Sequence, residues 1–337
     1  MGLYRFYGGR MHGDIAFEIV EQLYSLAEQS GDSDLLLQGH MALGTIQLLW
    51  GDLDAAQHHL DAAITRYAPD SHRSHAVRFN IDPGILSLSR ASWALWFRGY
   101  PDQAVELDNR TLALARKLGH AQSLGMALCF SAALYQFRRE PTLAQAIAQE
   151  AAEVSGEHRF AQYAAEAGFL LGWAVTELGQ SEAGFAQMRQ SFFEYRRLDV
   201  ALDLPWYLGL LAEVSSSRGE VDEGLALLDQ AEDITRTNVR TSLHLPEWHR
   251  IKGELLLARG WRGEAEQSFL SSLASANKKG ARGIVLRAAT SLAGLWGEQG
   301  RRAGARELLA PVYGWFTEGF DTADLNDAKA LLEALDA

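Results

Sequence analysis

The chain has a single cysteine, Cys129, in 337 residues. One thiol forms no intrachain disulfide and no cysteine metal cluster, which fits a reducing cytosol. Proline is scarce, at 7 residues, and no alternating apolar–polar run is bounded by hairpin signals, so no β-sheet is expected. No apolar run reaches the roughly 18–20 residues that span a bilayer. The opening MGLYRFYGGRMHGD holds no apolar stretch ahead of a cleavage site, so export is not expected and the cytoplasm is the expected location. Basic residues are in deficit: 31 Lys and Arg stand against 43 Asp and Glu, a net charge of −12. Phosphate binding needs a basic footprint, so this balance argues against nucleic acid and against an anionic membrane surface. The motifs GxxxxGKS/T, GxSxG, HExxH and GxGxxG do not occur.

What the chain does have is 47% apolar residues, enough for a large core, and a turn motif that repeats. The copies are GDLDAA at 51–56, GYPDQA at 99–104, GQSEAG at 179–184, GEVDEG at 219–224, GWRGEA at 260–265 and GRRAGA at 300–305. A degraded copy, REPTLA, lies at 139–144, and HGDIAF at 12–17 reads as an earlier one. From residue 99 onward the spacing is about 40 residues. Each copy separates two stretches whose apolar residues recur at i, i+3, i+4 and i+7, the stripe of an amphipathic helix. The glycine suits the left-handed cap that ends the first helix, and the acidic residue after it suits the start of the second.

Small residues recur in a fixed frame across each turn. Gly44 is followed by Ala56, Leu60 and Ala63; Gly172 by Gly184, Met188 and Ser191; Gly253 by Ala265, Phe269 and Ser272; Ala293 by Ala305, Leu309 and Val312. Small side chains at these offsets let two helices approach, and the large residue fills the groove between them. This frame resembles the tetratricopeptide repeat, with a longer unit than that repeat's usual 34 residues. One such hairpin cannot bury its apolar face alone, so the expected fold is all-α: a right-handed superhelical solenoid of seven to eight hairpins. No linker or low-complexity tract divides the chain, so residues 1–337 read as one solenoid domain. The polar segments 67–84 and 235–246 read as its two long connections. A terminal helix at about 322–335, starting from an Asp321 or Thr322 cap, reads as the closing element.

The tail ARELLAPVYGWFTEGFDTADLNDAKALLEAL at 305–335 resembles the end of a group of large bacterial signalling proteins. The stretches DPGILSLSRASWALWFRGYPDQA, PWYLGLLAEVSSSRGEVDEGLALLDQA and EWHRIKGELLLARG resemble the same region. In that family a class III adenylate/guanylate cyclase domain or a winged-helix domain precedes an AAA/STAND-type ATPase, and a long tetratricopeptide region follows. The resemblance implies a regulatory region, excised or free-standing. It brings no catalytic residues and no cofactor to this chain, because the family's catalytic motifs are absent here.

In a solenoid of this kind the first helix of each pair lines the concave face. The residues expected there are Trp93, Trp96, Phe97, Met126, Phe137, Glu166, Phe169, Trp173, Trp206, Glu213, Glu247, Arg250 and Glu254, a groove with aromatic walls, several carboxylates and one arginine. Aromatic and arginine side chains are frequent binding anchors. Arg78 and Asp82 sit in a loop that borders this face, and Asp82-Pro83 also suits a helix cap. His58, His59, His72 and His75 are close in sequence, but their spacing suits no metal site and reads as a solvated loop and helix face. Cys129, in MALCFSAALY, reads as a small buried apolar residue. The expected function is a non-enzymatic interaction or sensing module. It would bind a peptide, a partner protein or a small effector in the groove, with neither metal nor cofactor. The alternative is a scaffold for self-association, such as a homodimer. A helical enzyme is the third and weakest reading, since no nucleophile and base stand at a useful spacing.

Overall fold

The computed structural model describes residues 13–198, 200, 202–238 and 242–336. Among them run seventeen helices and no strand. A first helix, α1 (Gly13–Ser30), precedes the pair α2 (Ser33–Trp50) and α3 (Leu53–Arg66). A short α4 (Pro69–Phe79) leads to the pair α5 (Pro83–Arg98) and α6 (Pro101–Leu118). Then come α7 (Ala121–Phe137) with α8 (Pro141–Glu157), α9 (Ala161–Glu177) with α10 (Ser181–Arg197), and α11 (Leu204–Ser217) with α12 (Val221–Asn238). The last pairs are α13 (Leu245–Ala258) with α14 (Arg262–Lys279) and α15 (Arg282–Glu298) with α16 (Arg302–Tyr313), and α17 (Ala323–Asp336) closes the chain.

The repeated turn motif sets this order. From Gly51 onward the first residue of each copy is left-handed, from φ 58° at Arg139 to φ 93° at Gly179. The small-residue frame brings the paired helices together. A Cβ on Gly44 would lie 2.7 Å from Leu60, and one on Gly253 would lie 2.4 Å from Phe269. At Gly172 it would meet backbone, the carbonyl oxygen of Gly184 and the amide nitrogen of Met188, each at 2.8 Å. At the C-terminus α17 lays Leu325, Ala328 and Leu335 against the last pair and covers its apolar end.

Segment 67–84 is not the solvated loop expected from its polar sequence. Pro69 starts α4, and His72 and His75 are both buried, each reaching the Asp34 carboxylate of α2, at 3.2 and 3.1 Å. The helix is held by these tertiary contacts, which its weak amphipathic pattern does not announce. His59 of α3 meets His40 of α2 at 2.9 Å, also inside the structure. Asp82 accepts the amide protons of Gly84 and Ile85, the N-cap of α5, and its other oxygen accepts from the Tyr67 hydroxyl at 2.9 Å. The side chain of Arg78 lies outside the described residues, as do His12 and residues 239–241 of the second long connection.

The superhelix curls until its late turns rest on its early ones. The amide of Leu243 donates to the carbonyl of Leu49, and Lys279 donates to the carbonyl of Trp50. Helix α6 has no capping side chain of its own. Its exposed first amides, on Asp102 and Gln103, donate instead to the carboxylate of Glu318, more than 200 residues away, at 3.0 and 3.1 Å. A carboxylate at a helix N-terminus satisfies orphan donors and opposes the positive end of the dipole. Gly319 donates back to Asp102 at 2.9 Å.

Candidate functional site

This curling decides what the concave face becomes. Trp93, Trp96 and Phe97 from α5, Phe137 from α7, Trp206 from α11 and His244 meet in one aromatic cluster. Ring centroids lie 5.1 Å apart for Trp93 and Phe137, 5.2 Å for Trp96 and Phe137, and 5.5 Å for Phe137 and Trp206. His244 stacks on Trp206, and burial lowers its pKa to about 3, so it is neutral. These five of the expected aromatic groove walls are at most 6% exposed, and Trp173, at 3%, is as buried as they are. They fill the axis of the superhelix and are core, which corrects their expected place on an open groove. Met126 and Phe169 are buried too.

Glu166 is likewise interior, at 3% exposed. Burial, then the charge of nearby Asp203, pushes its carboxyl well above the usual range, while Gln162 donates to it at 2.9 Å. It is enclosed and faces no groove. Cys129 is buried, with its thiol toward the carbonyl of Tyr163, and burial pushes its pKa up, which makes it a poor nucleophile.

The remaining candidates lie together beside the aromatic plug. Trp173, Glu213, Arg250 and Glu254 line an open pocket of about 330 Å³, joined there by Gln136, Arg139, Glu177 and Arg287. Thr290, Ser291, Asp324 and Asp327 complete the side nearest the C-terminus. Successive inner helices therefore each contribute. Glu213, Arg250, Arg287 and Asp324 occupy one column, and neighbours in it that bond directly are 37 residues apart. Glu254 and Ser291 form a second column one helical turn further on, also 37 residues apart and bonded at 2.6 Å. Glu247 stands just beneath, in a slot of about 30 Å³ between the pocket and the aromatic plug.

The charges alternate along a continuous chain of ion pairs. Arg250 reaches Glu213 at 2.6 Å and Glu247 at 2.8 Å. Arg287 reaches Glu247 at 3.2 Å and Asp324 at 2.8 Å, and also donates to the carbonyl of Phe137. Arg139 reaches Asp324 at 3.1 Å and Asp327 at 2.6 Å. Burial alone would raise the Glu247 carboxyl, but Arg250 and Arg287 outweigh it and hold the group at about 2. Glu177 is the reverse case: though its side chain reaches solvent, partial desolvation by its neighbours, then the charge of Glu213, raises its carboxyl above the ordinary value. The residues lining the pocket include no histidine or cysteine, and the hydroxyl of Ser291 donates to Glu254.

No known protein family and no curated protein matches the chain in sequence. Solved structures do match in shape. A Rap protein complexed with Competence and Sporulation Factor gives a TM-score of 0.59 at 12% identity, over 99% of this chain and 96% of its own. Aspartyl phosphate phosphatase F from Bacillus subtilis gives 0.54 at 12% identity, over 89% and 73%. The apo form of RapI gives 0.53 at 15% identity, over 88% and 99%. The fold is a tetratricopeptide-like solenoid. At such identities the likeness reaches the fold and no further, and one of these neighbours is itself described as a phosphatase.

Within this solenoid the expected set of site residues divides in two: Glu213, Arg250 and Glu254 line the pocket, with Glu247 directly below and the largely buried Trp173 at its wall, while the other aromatics and Glu166 are core. Gln136, Arg139, Glu177, Arg287, Asp324 and Asp327 were not anticipated. The 37-residue column was one signal for Arg287 and Asp324. The missing turn glycine was another: Arg139 holds φ 58° where other copies use Gly, and its side chain is what bonds Asp324 and Asp327.

Proposed function

We propose that this solenoid is a non-enzymatic recognition module that binds a peptide, a partner protein or a small effector in the pocket of its concave face. The observation that carries the reading is the pocket itself. Its volume of about 330 Å³ is in the range of ligand sites. Inner helices α9, α11, α13, α15 and α17 and the turn after α7 all line it, so an occupant would touch most of the superhelix at once. Two of its ion pairs, Arg139 with Asp324 and Arg287 with Asp324, also fasten the C-terminal helix to the rest. A ligand that favours one arrangement of these pairs would shift the closure of the whole superhelix, in proportion to its differential affinity for the two states. One solved structure of this fold carries in its description a Rap protein complexed with Competence and Sporulation Factor, and binding on the same fold is consistent with this reading. The resemblance at 305–335 supports a finer placement, as the regulatory region of a bacterial cyclase, ATPase or winged-helix regulator. A cytoplasmic location goes with that placement; among the described residues no helix is long and apolar enough to cross a membrane.

The test is a tryptophan-emission screen of the full chain against pooled short peptides and metabolites, with light scattering on the same sample. The expected result is a monomer whose emission responds to one pool and loses the response in Trp173→Phe. A stable dimer with no response to any pool would overturn the reading in favour of self-association.

A further inference from the structure

The charges in the pocket are not balanced. Five carboxylates line it, Glu177, Glu213, Glu254, Asp324 and Asp327, against three guanidinium groups, Arg139, Arg250 and Arg287. Each arginine is already held by at least two carboxylates. An incoming anion would have to break these pairs before it gained any. The carboxylates are less fully used. Among the described residues no ion pair reaches Glu177, which stands exposed at the pocket edge.

An independent observation points the same way. Gln136 is only 4% exposed, lines both the pocket and the slot beneath it, and its carbonyl oxygen Oε1 has no hydrogen-bond donor. The buried Oε2 of Glu247, in the same slot, has none either. Buried acceptors without donors are rare because each forfeits its bond to water. The slot also holds one such donor, the indole Nε1 of Trp248, but in the open pocket itself the group left over is the Gln136 acceptor. The group that completes this acceptor is a donor, and the surrounding charge selects a positive one. Trp173 borders the pocket as well, with 3% of its surface exposed there, so a cation meets a small part of its indole. Among the described residues no set of carboxylates and histidines converges closely enough to hold a metal ion. The cation that fits is organic.

Resting on the pocket reading above, we propose that the ligand enters with an ammonium or guanidinium group, which lies against Trp173 and donates to Glu177, Glu213 and the Gln136 carbonyl. A basic peptide side chain and a free di- or polyamine share this chemistry.

The experiment is calorimetric titration of the full chain at low ionic strength. The probes are three acetylated and amidated pentapeptides, Ala-Arg-Ala-Arg-Ala and its glutamine and glutamate counterparts, together with agmatine and spermidine. The arginine peptide is expected to bind about tenfold or more tightly than the glutamine peptide, and the glutamate peptide not at all. Binding should weaken with salt. Glu177→Lys, an exposed change that spares the fold, should lower affinity about tenfold or more. Glu223→Gln, on the outer helix α12, should leave it unchanged, which separates the pocket from general attraction to an acidic protein. Binding of agmatine or spermidine as strong as the peptide's identifies a free amine as the source. Binding of the peptide alone identifies a basic chain. Equal binding of the glutamine or glutamate peptide, lost in Trp173→Phe, would overturn the cation while leaving the pocket standing. Silence from every probe would also overturn the cation, and the wider screen would then decide the pocket separately.

Discussion

Replacing Gly172 with alanine adds one methyl group at a close backbone contact of the fourth hairpin. That carbon would lie 2.8 Å from the carbonyl oxygen of Gly184 and 2.8 Å from the amide nitrogen of Met188. Both are backbone atoms, so no side chain can swing aside, and α9 and α10 have to separate. Overpacking of this kind costs about 1–3 kcal/mol, and two rigid contacts this short place the change near the top of that range. Alanine returns about 1 kcal/mol of helix propensity, which leaves a net loss of about 2 kcal/mol. Gly294, in the interior of α15, is the matched control, because a Cβ there meets nothing within 4 Å. Gly294→Ala keeps the propensity gain alone and should stabilise by about 0.5–1 kcal/mol. The assay is urea denaturation followed by far-ultraviolet circular dichroism. The two substitutions are chemically identical and should move the midpoint in opposite directions. If Gly172→Ala unfolds at the parent's midpoint or above it, the helix-contact frame is wrong.

Four further outcomes follow from the same reasoning. Arg287→Ala should destabilise by about 1–3 kcal/mol, because Glu247 and Asp324 lose their shared cation and keep only Arg250 and Arg139, whereas Arg189→Ala, in an exposed pair with Glu223, should change stability by less than about 0.5 kcal/mol in urea denaturation. Trp93→Ala should cost about 3–5 kcal/mol as a core truncation, with thermal unfolding as the readout. Asp108 is buried, with the Ser131 hydroxyl donating to it at 2.6 Å, and burial raises its carboxyl to about 7. Between about pH 4 and pH 7 the unfolded chain ionises this group while the folded chain does not, so stability falls as pH rises across that window; Asp108→Asn should be about 1–3 kcal/mol more stable than the parent near pH 8 and level with it near pH 4. Glu318→Gln should expose the first amides of α6 to faster hydrogen exchange, because the neutral amide is the weaker cap, and unchanged exchange there would contradict the long-range capping.

The repeating turn and the small-residue frame are written in local spacing, and they carry the solenoid, its hairpins and its terminal helix. Burial on the concave face is not local. Trp93, Trp96, Phe97, Phe137 and Trp206 would look the same in sequence whether they walled an open groove or filled the axis. Only the curling of the superhelix, sealed by contacts such as Glu318 on α6, makes them core. The charged residues divide for a similar reason. Glu213, Glu247 and Arg250 stand out within their own helices, but their partners Arg287 and Asp324 become visible only when the chain is folded at a 37-residue period. Arg139 was hidden by the turn position it occupies, where glycine is the ordinary residue. The buried histidines of α4, His72 and His75, stand apart from the solvated face expected for them because their pairing with Asp34 of α2 spans two elements that polar composition alone would leave in solvent.

The central claim is that the ligand sits between Gln136 and Asp327 on the concave face. Fluorotryptophan labelling tests it directly, since nine tryptophans give nine fluorine resonances and Trp173→Phe assigns the one that matters. On titration with the tightest-binding probe, the Trp173 resonance should move, while exposed Trp261, away from the pocket, should not. A titration that moves Trp261 and leaves Trp173 still would place the binding surface elsewhere and contradict the account.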